Sequence, residues 1–136
     1  MILVTGGAGF IGSNIVAALA AAGEEVAVCD WFGTDDKWRN LAKHDVVSFV
    51  APEDLPDWLS RAPRLTAVVH MGAISATTER DADLIVATNI RLSWSLWEWC
   101  AAAEVPFIYA SSAATYGDGL AGFDDDNDAQ AMGRLR

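Results

Sequence analysis

A chain of 136 residues has room for one domain with a real core but not for two. Its 52% hydrophobic content is that of an ordinary globular protein, and a formal net charge of -10 excludes the basic face that nucleic acid or an anionic membrane surface would require. Much of that charge gathers at Asp118, Asp124, Asp125, Asp126 and Asp128, so 118–136 reads as a solvated acidic loop or tail.

Cys29 and Cys100 have none of the spacing that marks a zinc site or a disulfide framework; both read as buried and reduced, and no metal is expected. The apolar start contains glycines and does not read as a signal peptide. No uninterrupted apolar run approaches a bilayer span, so a cytoplasmic location is expected.

In chain order, Ile2 to Val4 form a short apolar run of the kind found in buried parallel strands, followed by Gly6, Gly7, Gly9 and Gly12. Gly6 suits a tight turn, Gly9 lets the backbone approach a pyrophosphate, and Gly12 lets the next helix pack closely on the strand. That helix is expected over 12–22, with Ile11, Ile15, Val16 and Leu19 on its buried face and Gly23 ending it. Its N-terminal N–H groups would face the phosphates.

Val26 to Cys29 read as the second strand. Asp30 at its carboxyl end stands where an acidic side chain meets adenosine ribose hydroxyls; the bland alternative is a cap on the next turn. Lys37, Arg39 and Lys43 follow among Trp31, Phe32 and Trp38. These cations suit either a ribose 2'-phosphate or the solvent face of a short helix.

Val46 to Val50 read as the third strand, and Pro52 to Ala62 as a helix with Leu55, Trp58 and Leu59 inward, closed by Pro63. Leu65 to Met71 form a fourth strand that runs into Gly72 and Ala73, small residues that leave space beside a ligand. His70, set in that apolar strand, reads as a hydrogen-bonded core histidine rather than a general base. A long helix is expected over 79–103 with Leu84, Thr88, Leu92, Leu96 and Cys100 inward, Thr78 with Asp81 as a capping box, and Asn89 one position off the stripe. Pro106 to Ala110 read as the fifth strand, with Ser111 and Ser112 at its carboxyl end.

Five strands alternating with helical segments predict an α/β fold, a Rossmann-like doubly wound parallel sheet of order 3-2-1-4-5 truncated before its last elements. Residues 1–117 would form an incomplete NAD(P)-binding domain. The glycine turn, Asp30, Gly72 to Ser75 and Ser112 all fall at carboxyl ends of strands and would line one crevice.

The succession TGGAGFIGSN, HMGA and YASSAATYG resembles the extended short-chain dehydrogenase/reductase family, and SATTE after HMGA is similar to its nucleotide-sugar epimerases acting on heptoses. The resemblance implies a bound NADP, with NAD as the alternative. It implies Gly6, Gly9, Phe10, Ile11 and Gly12 at the pyrophosphate, Asp30 and Trp31 at the adenosine ribose and Lys37 at a 2'-phosphate. Met71, Gly72, Ala73, Ile74 and Ser75 would line the nicotinamide side with Asn89 beneath, and Ser112 would be the active-site hydroxyl. Trp31 departs from the small polar residue of many members, and Pro52 from the lysine of some.

The implied reaction is epimerisation of ADP-heptose, by hydride removal and return at C6, in supply of the lipopolysaccharide inner core. Another nucleotide sugar, epimerised at C4 or dehydrated, is the nearest alternative; a non-catalytic dinucleotide-binding module is the more distant one. The family's Tyr-x-x-x-Lys pair is missing, since the fourth residue after Tyr109 is Ala113 and after Tyr116 is Leu120. These 136 residues are therefore expected to lack activity and a substrate domain. The resemblance also implies that the full-length form is a homo-oligomer.

Overall fold

The computed structural model describes residues 1–61, 64–120 and 122–123. Its elements are β1 (Ile2–Thr5), α1 (Phe10–Ala21), β2 (Val26–Cys29), a 3-10 turn (Asp36–Asn40), β3 (Ser48–Val50), a 3-10 turn (Pro52–Asp54) and α2 (Leu55–Ser60). There follow β4 (Ala67–His70), α3 (Ala82–Ile85), a π-helical stretch (Val86–Arg91), α4 (Leu92–Ala103), β5 (Phe107–Tyr109) and a 3-10 turn (Ala113–Tyr116). All strands are parallel in the order β3-β2-β1-β4-β5, as the alternation of strand and helix predicts.

Side chains alternate across the sheet and build two core layers. On one face Leu3, Ala27 and Val68 meet Leu55 and Leu59 of α2 and Leu96 and Cys100 of α4. On the other, Val4, Val26, Val28 and Val69 meet Val16, with Ile15 and Leu19 of α1 packed alongside. Burying a Leu or Val side chain contributes roughly 1.5–3 kcal/mol, so these rows supply most of what holds helices to sheet. Cover is thinner at the β5 edge, where Ile108, in register with buried Val69, is 57% exposed.

β2 matches its apolar run and β1 extends one residue past it to Thr5, whereas β3, β4 and β5 are shorter than theirs, their flanking residues lying outside the ladder. The long helix begins at Ala82, not residue 79, and the expected capping box of Thr78 with Asp81 is corrected. Asp81 is itself the N-cap, its carboxylate accepting from the Leu84 amide at 3.0 Å, while Glu79 accepts from the amides of Arg80 and Asp81. The π stretch re-phases the helix, yet Thr88, Leu96 and Cys100 remain buried. Pro63 and the acidic residues from Asp124 onward lie outside the described residues.

Two glycines set the join between β1 and α1. Gly6 has φ +64°, and a Cβ there would lie 2.7 Å from the Gly72 amide nitrogen. A Cβ on Gly12 would overlap the Gly6 carbonyl oxygen, so the first turn of α1 rests backbone to backbone on the loop. At the far end Glu24 and Gly23 amides donate back to the Leu19 and Ala20 carbonyls at 3.0 Å each, which closes the helix.

Gly12→Ala must push α1 away from the Gly6 carbonyl and is expected to cost about 2–3 kcal/mol, as overpacking does. Gly23→Ala, with φ +82° but no atom within 4 Å of its Cβ, is expected to cost only about 1 kcal/mol. Urea denaturation of the two variants checks this; equal losses would contradict the close packing at Gly12.

Candidate dinucleotide-binding site

The glycine turn leaves β1 at its carboxyl end and delivers the N-terminus of α1 there. Gly9 is the N-cap, with no side-chain cap and no acidic residue in the first turn, so its amides are not met by a carboxylate of their own helix. Phe10 and Ile11 turn their side chains outward, 86% and 62% exposed, leaving their backbone to define the rim. The helix begins at Phe10 rather than residue 12, and Ile11 is corrected from the buried face expected for it, since it lies in the first turn beyond the sheet end. An uncapped helix start beside glycines that exclude any Cβ is a cradle suited to a pyrophosphate.

Asp30 locks the turn from the next strand. Its Oδ2 accepts from the Ala8 amide at 2.8 Å, its Oδ1 from Lys37 Nζ at 2.6 Å, and its side chain is almost fully buried. Lys37 also donates to the Trp31 carbonyl oxygen at 3.0 Å. Hence Lys37 is neither free in the crevice nor on a solvent face; its ammonium holds the carboxylate that the ribose would meet. A carboxylate offers about four acceptor positions, so Asp30 keeps capacity toward a ligand hydroxyl.

Asn40 donates to the Ala8 carbonyl at 2.9 Å and clamps the turn from the other side. The indole of Trp31 donates to Glu53 Oε2 at 2.6 Å. Backbone hydrogen bonding first, and this indole second, hold the Glu53 carboxyl below its ordinary range.

The loop after β4 lies against the glycine turn. Met71 donates to the Thr5 carbonyl at 3.1 Å and Gly72 to Thr5 Oγ1 at 3.1 Å. Asn89, in the π stretch, brackets Ile74: its Oδ1 accepts from the Ile74 amide at 2.8 Å and its Nδ2 donates to the Ile74 carbonyl at 2.9 Å. Ala73 and Ser75 are exposed beside it.

Ser112 stands after β5 as the N-cap of the last 3-10 turn, where its Oγ accepts from the Ala114 amide at 3.2 Å. The structure thus joins the glycine turn, Asp30, Lys37, Gly72, Ile74 and Asn89 by direct contacts, while Ser112 hydrogen-bonds within its own turn.

Thr5, Ala8, Asn40, Glu53 and Ser93 take part without having been singled out from the sequence. Their contacts span 22 to 67 residues of chain, apart from that of Ser93 with the Asn89 carbonyl. Thr5 alone had a local signal, as the last residue before the glycines.

Cys29, under the turn, is inert. Burial, then the charges of Asp30 and Glu53, push its thiol up to about 12. Among the described residues no group of three or more His, Cys, Asp or Glu could hold a metal ion, and no helix is long and apolar enough to cross a membrane.

His70 is 6% exposed, with Nδ1 at 2.6 Å from Thr5 Oγ1 and Nε2 at 2.8 Å from Ser93 Oγ. It is the core histidine its strand position suggested. Burial lowers its pKa from 6.5, and Thr5, Ser93 and the stacked ring of Phe107 around it carry no charge. Because the folded state resists protonation, unfolding takes up a proton once pH drops below about 6.5. Stability should therefore be full above that value, fall below it, and level off once His70 protonates in the fold. His70→Asn is expected to flatten this component of the urea-midpoint profile between pH 7.5 and 5; an unchanged slope would contradict it.

The comparisons with known proteins agree with this fold. The model of the NAD dependent epimerase/dehydratase family matches residues 2–133. The chain is 42% identical over 139 residues to an ADP-L-glycero-D-manno-heptose-6-epimerase of Fusobacterium nucleatum, covering 99% of this chain and 42% of that protein. It is 48% identical over 131 residues to the enzyme of that name in Nitratidesulfovibrio vulgaris, covering 93% and 41%.

Among solved structures, ADP-L-glycero-D-manno-heptose-6-epimerase of Helicobacter pylori superimposes with a TM-score of 0.73 at 28% identity, over 94% of this chain and 43% of that one. UDP-glucose 4-epimerase of Thermotoga maritima, solved with UDP-glucose, gives 0.72 at 31%, over 88% and 40%. The chain therefore spans less than half the length of each of these four proteins. Its strand order, its glycine turn and the match over 2–133 lead to one conclusion: this chain belongs to the NAD dependent epimerase/dehydratase family.

Proposed function

We propose that residues 1–117 are the cofactor-binding part of an NADP-dependent ADP-heptose 6-epimerase that serves the lipopolysaccharide inner core, with 118–136 as an acidic extension. The observation that carries the reading is the cradle at Gly6 to Gly12, clamped by Asp30 and abutting Gly72. The 42–48% identity to ADP-heptose 6-epimerases supports the choice of sugar over UDP-hexoses.

In this reading the amides of Phe10 to Gly12 hold the pyrophosphate, while that of Gly9 donates to the Gly6 carbonyl at 3.0 Å within the turn, and Asp30 accepts from the adenosine ribose. Lys37, already at that carboxylate, turns toward a 2'-phosphate, which favours NADP over NAD. Met71 to Ser75, fixed by Asn89, wall the nicotinamide side and exclude water. The cofactor supplies a hydride acceptor and donor, while the protein orients the reacting carbon.

Ser112 orients the substrate hydroxyl once its Oγ exchanges the Ala114 amide for the sugar. Neither Tyr109 nor Tyr116 is followed four residues on by lysine, so these 136 residues bind without turning substrate over. An exposed row on the long helix, Ile90, Trp94 and Trp97, supports self-association in a cytoplasmic homo-oligomer.

Calorimetric titration tests this. NADPH is expected to bind at least tenfold more tightly than NADH, and Lys37→Ala to erase about tenfold of that preference, the worth of one charge-assisted phosphate contact. The chain should leave ADP-heptose unchanged. Equal affinities for the two cofactors, unaltered by Lys37→Ala, would overturn the NADP assignment; no binding of either would overturn the reading as a whole.

A further inference from the structure

The loop after β4 is held at Gly72 and at Ile74 by the two ends of one chain of polar groups that runs through the core and that no expected role absorbs. The Gly72 amide donates to Thr5 Oγ1 at 3.1 Å, Thr5 Oγ1 lies 2.6 Å from His70 Nδ1, His70 Nε2 lies 2.8 Å from Ser93 Oγ, and Ser93 Oγ donates to the Asn89 carbonyl at 2.9 Å. Asn89 in turn brackets Ile74 with its amide side chain. Thr5 and His70 are 1% and 6% exposed, and no buried side-chain nitrogen or oxygen among the described residues lacks a partner.

The proton count fixes the direction of the chain. A serine hydroxyl has one proton, and that of Ser93 goes to the Asn89 carbonyl; toward His70 it can only accept. Nε2 therefore carries the imidazole proton. Neutral imidazole then has a bare Nδ1, so the Thr5 hydroxyl donates to it and keeps its lone pairs for the Gly72 amide.

We propose that His70, as the neutral Nε2–H tautomer fixed by Ser93, is a positioning residue that sets the Thr5 hydroxyl to receive the Gly72 amide and so presets the loop 72–74 for the dinucleotide. If Nδ1 carried the proton, Thr5 would have to accept from it, and its own proton would be stranded in the core. The loop would then lose its anchor at Gly72. The ligand half of this inference rests on the dinucleotide reading above; the tautomer and the anchoring do not.

Long-range proton–nitrogen NMR of the wild-type chain at pH 7.5 is expected to show His70 with a protonated, pyrrole-like Nε2 and a pyridine-like Nδ1, His44 being the only other histidine to assign. The opposite tautomer overturns the proposal. Ser93→Ala removes the acceptor that fixes the tautomer without touching Gly72. Its Gly72 amide is expected to exchange with solvent about fivefold faster, the equivalent of one weakened hydrogen bond, with Ser93→Thr restoring protection.

Unchanged exchange at Gly72 in folded Ser93→Ala overturns the coupling; if that variant does not fold, the wild-type tautomer still decides. Dinucleotide affinity should fall about fivefold in Ser93→Ala and recover in Ser93→Thr. A wild-type chain that binds no dinucleotide defeats the functional reading and the ligand half, while tautomer and exchange still judge the positioning of the loop.

Discussion

The architecture depends on a backbone contact, the first turn of α1 resting on the Gly6 carbonyl. It exists because Gly12 has no Cβ and because Gly6 can adopt φ +64°. Everything at the crevice follows from it. The helix start is brought to the end of β1, in the centre of the sheet, with β2 on one side and β4 on the other. Asp30 directly follows β2 and Gly72 lies two residues past the end of β4, so the register of the sheet, which pairs Thr5 with Cys29 and with His70, delivers the clamp and the second wall.

Charge shapes the site from one side and neutral hydrogen bonds from the other. On the β2 side the buried carboxylate of Asp30 is offset by the half-buried Lys37 and by the Ala8 amide, at 2.6 and 2.8 Å. On the β4 side the groups are Thr5, His70, Ser93 and Asn89, all uncharged as the fold holds them.

The fold was legible because it is written in local patterns. β2 spans Val26–Cys29 as its apolar run predicts, and the order of strands follows from alternation with helices. The glycine turn and Asp30 were legible because the motif reports its own geometry. Lys37 was read only as a choice between phosphate and solvent, and its position on Asp30 depends on how the chain folds over the Ala8 turn. The start of the long helix was misplaced because Thr78 and Asp81 are both N-cap residue types, and only the extended backbone at Asp81 decides between them. Thr5, Asn40 and Ser93 were invisible as partners because parallel pairing and helix packing, not spacing along the chain, bring them together.

The most direct test of the central claim is a 15N-resolved NMR titration of the chain with NADPH. The account predicts that amide shifts concentrate at Gly6 to Gly12, Asp30 and Gly72 to Ser75, with the largest changes at the start of α1. Shifts centred elsewhere, or none at millimolar ligand, would contradict it.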